Sequence, residues 1–352
     1  MPHLIGKGFF MDIALIGFGN VGQGFAQLLH DKADDLQARY GLMPRLVAVV
    51  TNSRGVLYDP QGLKIPDMIA SMRDYDTLAH YPKTDTLEYG WSALKIATES
   101  TANVIVEASP SNLTTGQPAL DICLAALDAK KHMVLANKGP VAVGYAELMA
   151  KANANQLLVR YESTVMAGTP SIRLALNALR GSKITALKGI LNGTTNFILS
   201  QMEAGMPYAE ALAEAQRLGY AETNPDGDVL GWDTAGKLSI LAAVLFGMKL
   251  KLAEMSVQGI TEITPQMIAD AHSAGERWKL IAEISPSGVK VAPQRLPISH
   301  PLANISGANN AITYTTDVLG DITLIGAGAG GLQTGYGMLT DLIEIHEKAN
   351  FS

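Results

Sequence analysis

Asp12 to Ile16 (DIALI) is a short apolar run that feeds directly into Gly17-Phe18-Gly19-Asn20-Val21-Gly22. Val21 to Leu36 then carries Phe25, Leu28, Leu29 and Leu36 at helical spacing. Strand, glycine turn and helix in that order restrict the fold more than any other feature of the chain. The glycines let the backbone turn sharply and approach a ligand, and the helix start offers free amides at a positive dipole end. That context favours a nicotinamide dinucleotide site at Gly17, Phe18, Gly19, Asn20, Val21 and Gly22 over a glycine turn that binds nothing.

Further apolar runs follow at Leu46–Val50, Val104–Val106 and Met133–Ala136, the last two separated by a helical stretch over 118–129. Runs apolar on both faces, spaced by helices, predict a parallel sheet with right-handed crossovers. Residues 11–150 are therefore expected to form a Rossmann-like, doubly wound α/β domain, with 1–10 as an N-terminal extension. From 151 to 315 the pattern changes. Strands are expected at 157–161, 184–191 and 311–317, with helices at 170–180, 195–205, 207–218 and 232–248. This suits a second α+β domain for substrate binding and dimerisation. Residues 316–352, with a strand at 322–325 and a helix over 331–349, are expected to return to the nucleotide-binding domain.

The 352 residues are 47% hydrophobic and 17% charged, with net charge −6, which allows a large core and disfavours nucleic acid or an anionic membrane as partner. The apolar stretch 238–248 is too short to span a bilayer. A single cysteine, Cys123, excludes an intrachain disulfide and fits the cytoplasm.

Chemistry concentrates in Glu222–Lys237 (ETNPDGDVLGWDTAGK), where Glu222, Asp226, Asp228 and Asp233 surround a turn and Lys237 follows Asp233 by four residues. On a helix that spacing sets carboxylate and ammonium on one face. Several acids around one lysine can hold a small zwitterion and move a proton to it. Thr51-Asn52-Ser53-Arg54-Gly55, after the second strand, contains no carboxylate for a ribose 2′-hydroxyl. Arg54 suits a 2′-phosphate, favouring NADP, unless it is only a solvated loop charge. Ser109 in EASPSN (107–112) either meets the nicotinamide ribose or caps a Ser-Pro turn. Lys138 in ANKGP (136–140) either binds substrate or tops its strand in solvent; we favour the former. Asn192-Gly193-Thr194-Thr195 opens a helix whose amides and hydroxyls suit a carboxylate, or is an N-cap alone.

These pieces, with YESTVMAGTP (161–170), GYAETNPDGDVLGWDTAGK (219–237) and GAGAGG (326–331), resemble the homoserine dehydrogenase family over nearly all of residues 11–341. The resemblance implies reversible NAD(P)-dependent interconversion of L-homoserine and L-aspartate 4-semialdehyde, in threonine and methionine biosynthesis. It implies catalytic roles for Lys237, Lys138 and Asp233. Substrate residues would be Glu222, Asp228, Asp233, Gly193, Thr194, Tyr220 and Lys138. Ser109, Lys138, Arg54 and Gly330 would join the glycine turn in binding NADP or NAD. A monovalent cation, sodium in most members, would take oxygen ligands at Glu162, Val165, Ala167 and Thr169. The family likeness also implies a homodimer or homotetramer.

The chain departs from the family after GAGAGG, where Leu332-Gln333-Thr334-Gly335 replaces the usual Pro-Thr-Ala run. With no aspartate kinase domain before the fold and no regulatory domain of about eighty residues after it, threonine feedback through such a domain is not expected. A thioester-forming semialdehyde dehydrogenase would need a nucleophile, and Cys123 sits mid-helix in DICLAAL. Asn224, Asp226 and Asp228 alternate like the start of a calcium loop, but glycine falls at the fourth position of that loop and Ala235 at its twelfth. A dinucleotide-sensing protein without catalysis is the third alternative.

Overall fold

A computed structural model of the chain describes residues 10–349 and divides it into two compact units, 1–168 with 330–352, and 169–329. Unit one is built on a seven-stranded sheet, β1 (Phe10–Ile16), β2 (Met43–Val50), β3 (Val56–Tyr58), β4 (Glu88–Tyr89), β5 (Val104–Glu107), β6 (His132–Leu135) and β7 (Val159–Arg160), in the order β4-β3-β2-β1-β5-β6-β7. β1 pairs in parallel with β2 and β5, and β6 pairs in parallel with β5 and β7. β3 and β4 extend the edge antiparallel. Ile13, Leu15, Val47, Val49, Val104 and Val106 are all fully buried, which is why these strands read as unbroken apolar runs.

The glycine turn leads into the helix Asn20–Asp31, and a second helix, Ala33–Tyr40, follows after Lys32 where one continuous helix was expected. The C-terminal helix Gly331–Lys348 packs along Asn20–Asp31 at backbone distance. A methyl group added at Gly331 would lie 2.6 Å from the Asn20 carbonyl oxygen, and one at Gly335 would lie 2.6 Å from the Phe25 nitrogen. Only hydrogen at those positions permits this approach.

Unit two is a six-stranded sheet, β8 (Ile184–Ile190), β9 (Ser256–Val257), β10 (Glu276–Ser285), β11 (Gly288–Pro297), β12 (Asn309–Thr316) and β13 (Gly320–Ala327), in the order β13-β12-β8-β10-β11-β9. Its pairs are antiparallel except β11 with β9. Helices Gly193–Glu203, Tyr208–Arg217 and Trp232–Phe246 belong to it.

The boundaries differ from those drawn on the sequence. Residues 157–161 contribute β7 to the first sheet, because Val159 and Arg160 pair with Met133 and Val134. The first unit therefore runs to Gly168, beyond 150. Likewise β13 stays with β12, so the return to unit one comes at Gly330 and not at 316. Phe10, assigned to the N-terminal extension, begins β1 opposite Met43; the rest of that extension lies outside the described residues. The β10–β11 hairpin was not anticipated, nor was the helix Lys138–Ala154.

Candidate active site

In unit two, the left-handed Gly231 turns the chain into the helix Trp232–Phe246 and sets Asp233 in its first turn, where a carboxylate favours the helix dipole. One turn on, the buried Lys237 ammonium lies 2.8 Å from Asp233 Oδ2 and donates to the Leu191 carbonyl at 2.7 Å. Asn192 holds the same place from the other side. As N-cap of Gly193–Glu203 its Oδ1 accepts from the Thr195 amide at 2.9 Å. Its Nδ2 is thereby free to donate to Asp228 at 2.6 Å and to Asp233 at 3.1 Å. Burial and then the charge of Asp233 push the Asp228 carboxyl above its ordinary range, against the pull of Asn192 and Lys237. Two carboxylates thus share the Asn192 amide while only Asp233 pairs with Lys237, an arrangement suited to a bound cationic group.

Thr194 is buried and donates to the Tyr220 carbonyl at 2.6 Å, while the exposed Tyr220 ring packs on Phe197 at 5.1 Å. Gly193 lies against Ala308, whose carbonyl oxygen would sit 2.6 Å from an added methyl. Glu222 stands exposed on the turn after Tyr208–Arg217, its carbonyl accepting from Gln216, so it does not join the Asn192 cluster directly. Asp226 begins a short helix, Asp226–Val229, where a calcium-like loop had been weighed.

Unit one carries the glycine turn. Gly17 adopts φ +100°, and a methyl there would lie 2.5 Å from the Ala108 carbonyl. At Gly19 nothing lies within 4 Å of the corresponding position, and no side chain caps the helix that follows. Open space in front of uncapped amides is the cradle a pyrophosphate requires, so the residues present fit a dinucleotide. Phe18 contributes backbone only, since its side chain is buried in the core. Asn20 is exposed and Val21 packs against that core. Gly330, at φ +123°, precedes the Gly331 contact with Asn20 and so lies beside this turn.

Ser109 and Lys138 stand on neighbouring strand ends, stitched together through Glu107. The buried Glu107 Oε1 accepts from the Ser109 amide at 2.8 Å, from the Ser109 hydroxyl and from Asn137 Nδ2 at 3.3 Å. Asn137 Oδ1 caps Lys138–Ala154 through the Gly139 amide at 2.9 Å, and the Lys138 amide donates to Ser111 Oγ at 2.9 Å. Burial raises the Glu107 carboxyl, and its Oε2 has no hydrogen-bond partner. Glu107 had been given no role on sequence, and Asn192 only a place in a helix opening or N-cap. Beyond their local partners Ser109 and Thr195, Glu107 reaches Asn137 at 30 residues' separation and Asn192 reaches Asp228 and Asp233 at 36 and 41, links that no local spacing marks.

Arg54 Nε lies 3.1 Å from Asp76 Oδ1, so the expected phosphate-binding guanidinium already has an anionic neighbour. Glu162 and Val165 are buried, and Ala167 adopts a left-handed φ of +50°. Thr169, which opens unit two, donates to the Ala327 carbonyl at 2.9 Å. Among the described residues no group of three or more His, Cys, Asp or Glu could hold a metal. Among those residues no helix is long and apolar enough to cross a membrane.

A family model for homoserine dehydrogenase matches residues 170–343, and one for the homoserine dehydrogenase NAD-binding domain matches 17–162. A homoserine dehydrogenase of Methanocaldococcus jannaschii is 39% identical over 337 residues, covering 96% of this chain and 98% of its own. The chain belongs to the homoserine dehydrogenase family. An NAD(+)-dependent homoserine dehydrogenase of Pseudomonas canavaninivorans is 38% identical over 96% of each chain. Among solved structures, a hyperthermophilic archaeal homoserine dehydrogenase in complex with NADPH superposes with a TM-score of 0.82 at 28% identity, over 97% of this chain and 99% of that one. The chain is thus an NAD(P)-dependent oxidoreductase of the CH–OH group, interconverting L-homoserine and L-aspartate 4-semialdehyde.

Proposed function

We propose that Lys237 moves the proton in this reaction and that Asp228, Asp233 and Glu222 hold the amino-acid end of the substrate. The observation that carries the reading is the burial of the Lys237 ammonium between Asp233 Oδ2 and the Leu191 carbonyl. A bound nicotinamide dinucleotide supplies the hydride in reduction and accepts it in oxidation. Lys237 gives its proton to the alkoxide oxygen as the aldehyde is reduced, and takes it from the hydroxyl in the reverse direction. Asp233, 2.8 Å away, orients Lys237. Glu222, with the surplus negative charge at Asp228, suits the α-ammonium, while the amides of Gly193 and Thr194 at a helix start suit the α-carboxylate. Tyr220 flanks that end. Lys138 is the second cationic group and the rival proton donor.

For the dinucleotide, Gly17 to Gly22, Ser109, Lys138 and Gly330 form the binding set, and Arg54 favours NADP. A Michaelis constant for NADH well below that for NADPH would overturn the preference. A monovalent cation, sodium above others, is assigned to oxygens of Glu162, Val165, Ala167 and Thr169; the buried Glu162 and the left-handed Ala167 support a liganding turn there. The assembly is taken to be a homodimer or homotetramer in the cytoplasm, which sedimentation and fractionation test.

Oxidation of L-homoserine followed with NADP and NAD in parallel, with sodium or potassium, tests the assignment. No reduction of either coenzyme in the presence of homoserine would end it. Equal rates in both salts and in their absence would remove the cation.

A further inference from the structure

Arg54 and Asp76 belong to two segments of unit one that are tied together by more than their charges. The Arg54 carbonyl accepts from the Leu78 amide at 2.7 Å and from the Thr77 hydroxyl at 3.1 Å. The Arg54 amide donates to Thr51 Oγ1 at 2.8 Å, and that hydroxyl donates to the Gly55 carbonyl at 2.7 Å. Asp76 closes the helix Ile65–Tyr75 in the left-handed conformation, φ +52°, with its amide on the Met72 carbonyl at 2.9 Å. Both backbones are therefore fixed where the side chains meet at 3.1 Å, and the side chains remain 42% and 74% exposed, open to a ligand.

Those facts set two opposite charges at the end of β2, the place where a doubly wound fold reads the adenosine ribose. A 2′-phosphate drawn to the Arg54 guanidinium arrives with about two negative charges beside the Asp76 carboxylate. A 2′-hydroxyl brings none, and meets instead a carboxylate able to accept from it. We propose that Asp76 is a specificity-determining residue that opposes the 2′-phosphate, so that it narrows the NADP preference Arg54 would give alone. The inference rests on the reading that Arg54 faces the coenzyme ribose.

Asp76→Asn and Arg54→Ala, assayed for kcat/KM with NADP and with NAD at low and at high salt, test it. Asparagine tolerates left-handed backbone, so Asp76→Asn retains the turn. In Asp76→Asn the NADP:NAD ratio is expected to rise about threefold or more at low salt, the scale of one screened surface charge, and to rise less at high salt. Arg54→Ala is expected to lower the ratio. If Arg54→Ala leaves NADP kinetics unchanged, the placement of Arg54 fails and the inference with it. If Arg54→Ala weakens NADP while Asp76→Asn leaves the ratio where it was, or shifts it equally at both salts, the placement survives and Asp76 has no such role.

Discussion

Lys237 and Asp233, one helical turn apart, form an ion pair of 2.8 Å in which the lysine side chain retains 9% of its exposure. An ammonium so enclosed is held in one position, and the Leu191 carbonyl takes a second of its protons. Lys237→Ala is expected to lower turnover by roughly 10²-fold or more, the usual scale for loss of an acid/base group. Steady-state kinetics on protein whose unfolding temperature matches the parent measures this. Near-normal turnover would transfer the role to Lys138.

Asp228 yields a prediction of opposite sign for stability and activity. Its carboxyl is raised above the ordinary Asp value, so the folded protein holds this proton more tightly than the unfolded one. Stability therefore falls as pH climbs from the ordinary value through the raised one, and stays lowered above it. Asp228→Asn keeps an oxygen for Asn192 and removes the charge. Its unfolding temperature is expected to match the parent at acid pH and exceed it at neutral pH, while its KM for homoserine rises. Thermal melts across pH decide, and a variant less stable than the parent at neutral pH refutes the account.

Gly335→Ala is expected to destabilise the protein by about 1–3 kcal/mol, the cost of forcing a methyl into a filled contact. The methyl would press on the Phe25 nitrogen at 2.6 Å, backbone that cannot step aside. Gly181→Ala, where nothing lies within 4 Å, is the control. Chemical denaturation of the two variants compares them, and equal midpoints would refute the tight helix pairing.

Cys123 is fully buried in the helix Ala119–Asp128, and burial followed by the charge of Glu107 raises its thiol well above the ordinary value. Alkylating reagents at neutral pH are expected to leave activity intact and the thiol unlabelled until the protein is denatured. Stoichiometric labelling of native enzyme with loss of activity would reopen a thiol mechanism.

Much of this was legible in the chain where the signal is local. The β1 and β2 strands read directly because both faces are covered, and Asp233 with Lys237 read because one helix carries both. The β10–β11 hairpin did not. Glu276, Lys279, Glu283, Lys290 and Arg295 break its apolar pattern, and the charges find partners only in the fold, Arg295 with Glu276 at 2.6 Å and Lys290 with Glu283 at 3.4 Å across the hairpin, and Lys279 with Glu203 of the helix Gly193–Glu203 at 3.6 Å. The helix Lys138–Ala154 was hidden by Gly139, Pro140 and Gly144, residues that ordinarily mark loops; here Gly139 and Pro140 lie in its first turn, capped by Asn137, and Gly144, at φ −117° and ψ 15°, kinks it. Asn192 illustrates the same limit at the site, since its partners Asp228 and Asp233 lie 36 and 41 residues away.

The coenzyme-binding half is sewn from both ends of the described chain, with Gly331–Lys348 lying against Asn20–Asp31. During synthesis one side of that leading helix must therefore stay bare until the whole of the intervening unit two has left the ribosome. Clipping the polypeptide near 330 would then cripple a helix about three hundred residues away, by stripping the cover from Asn20–Asp31.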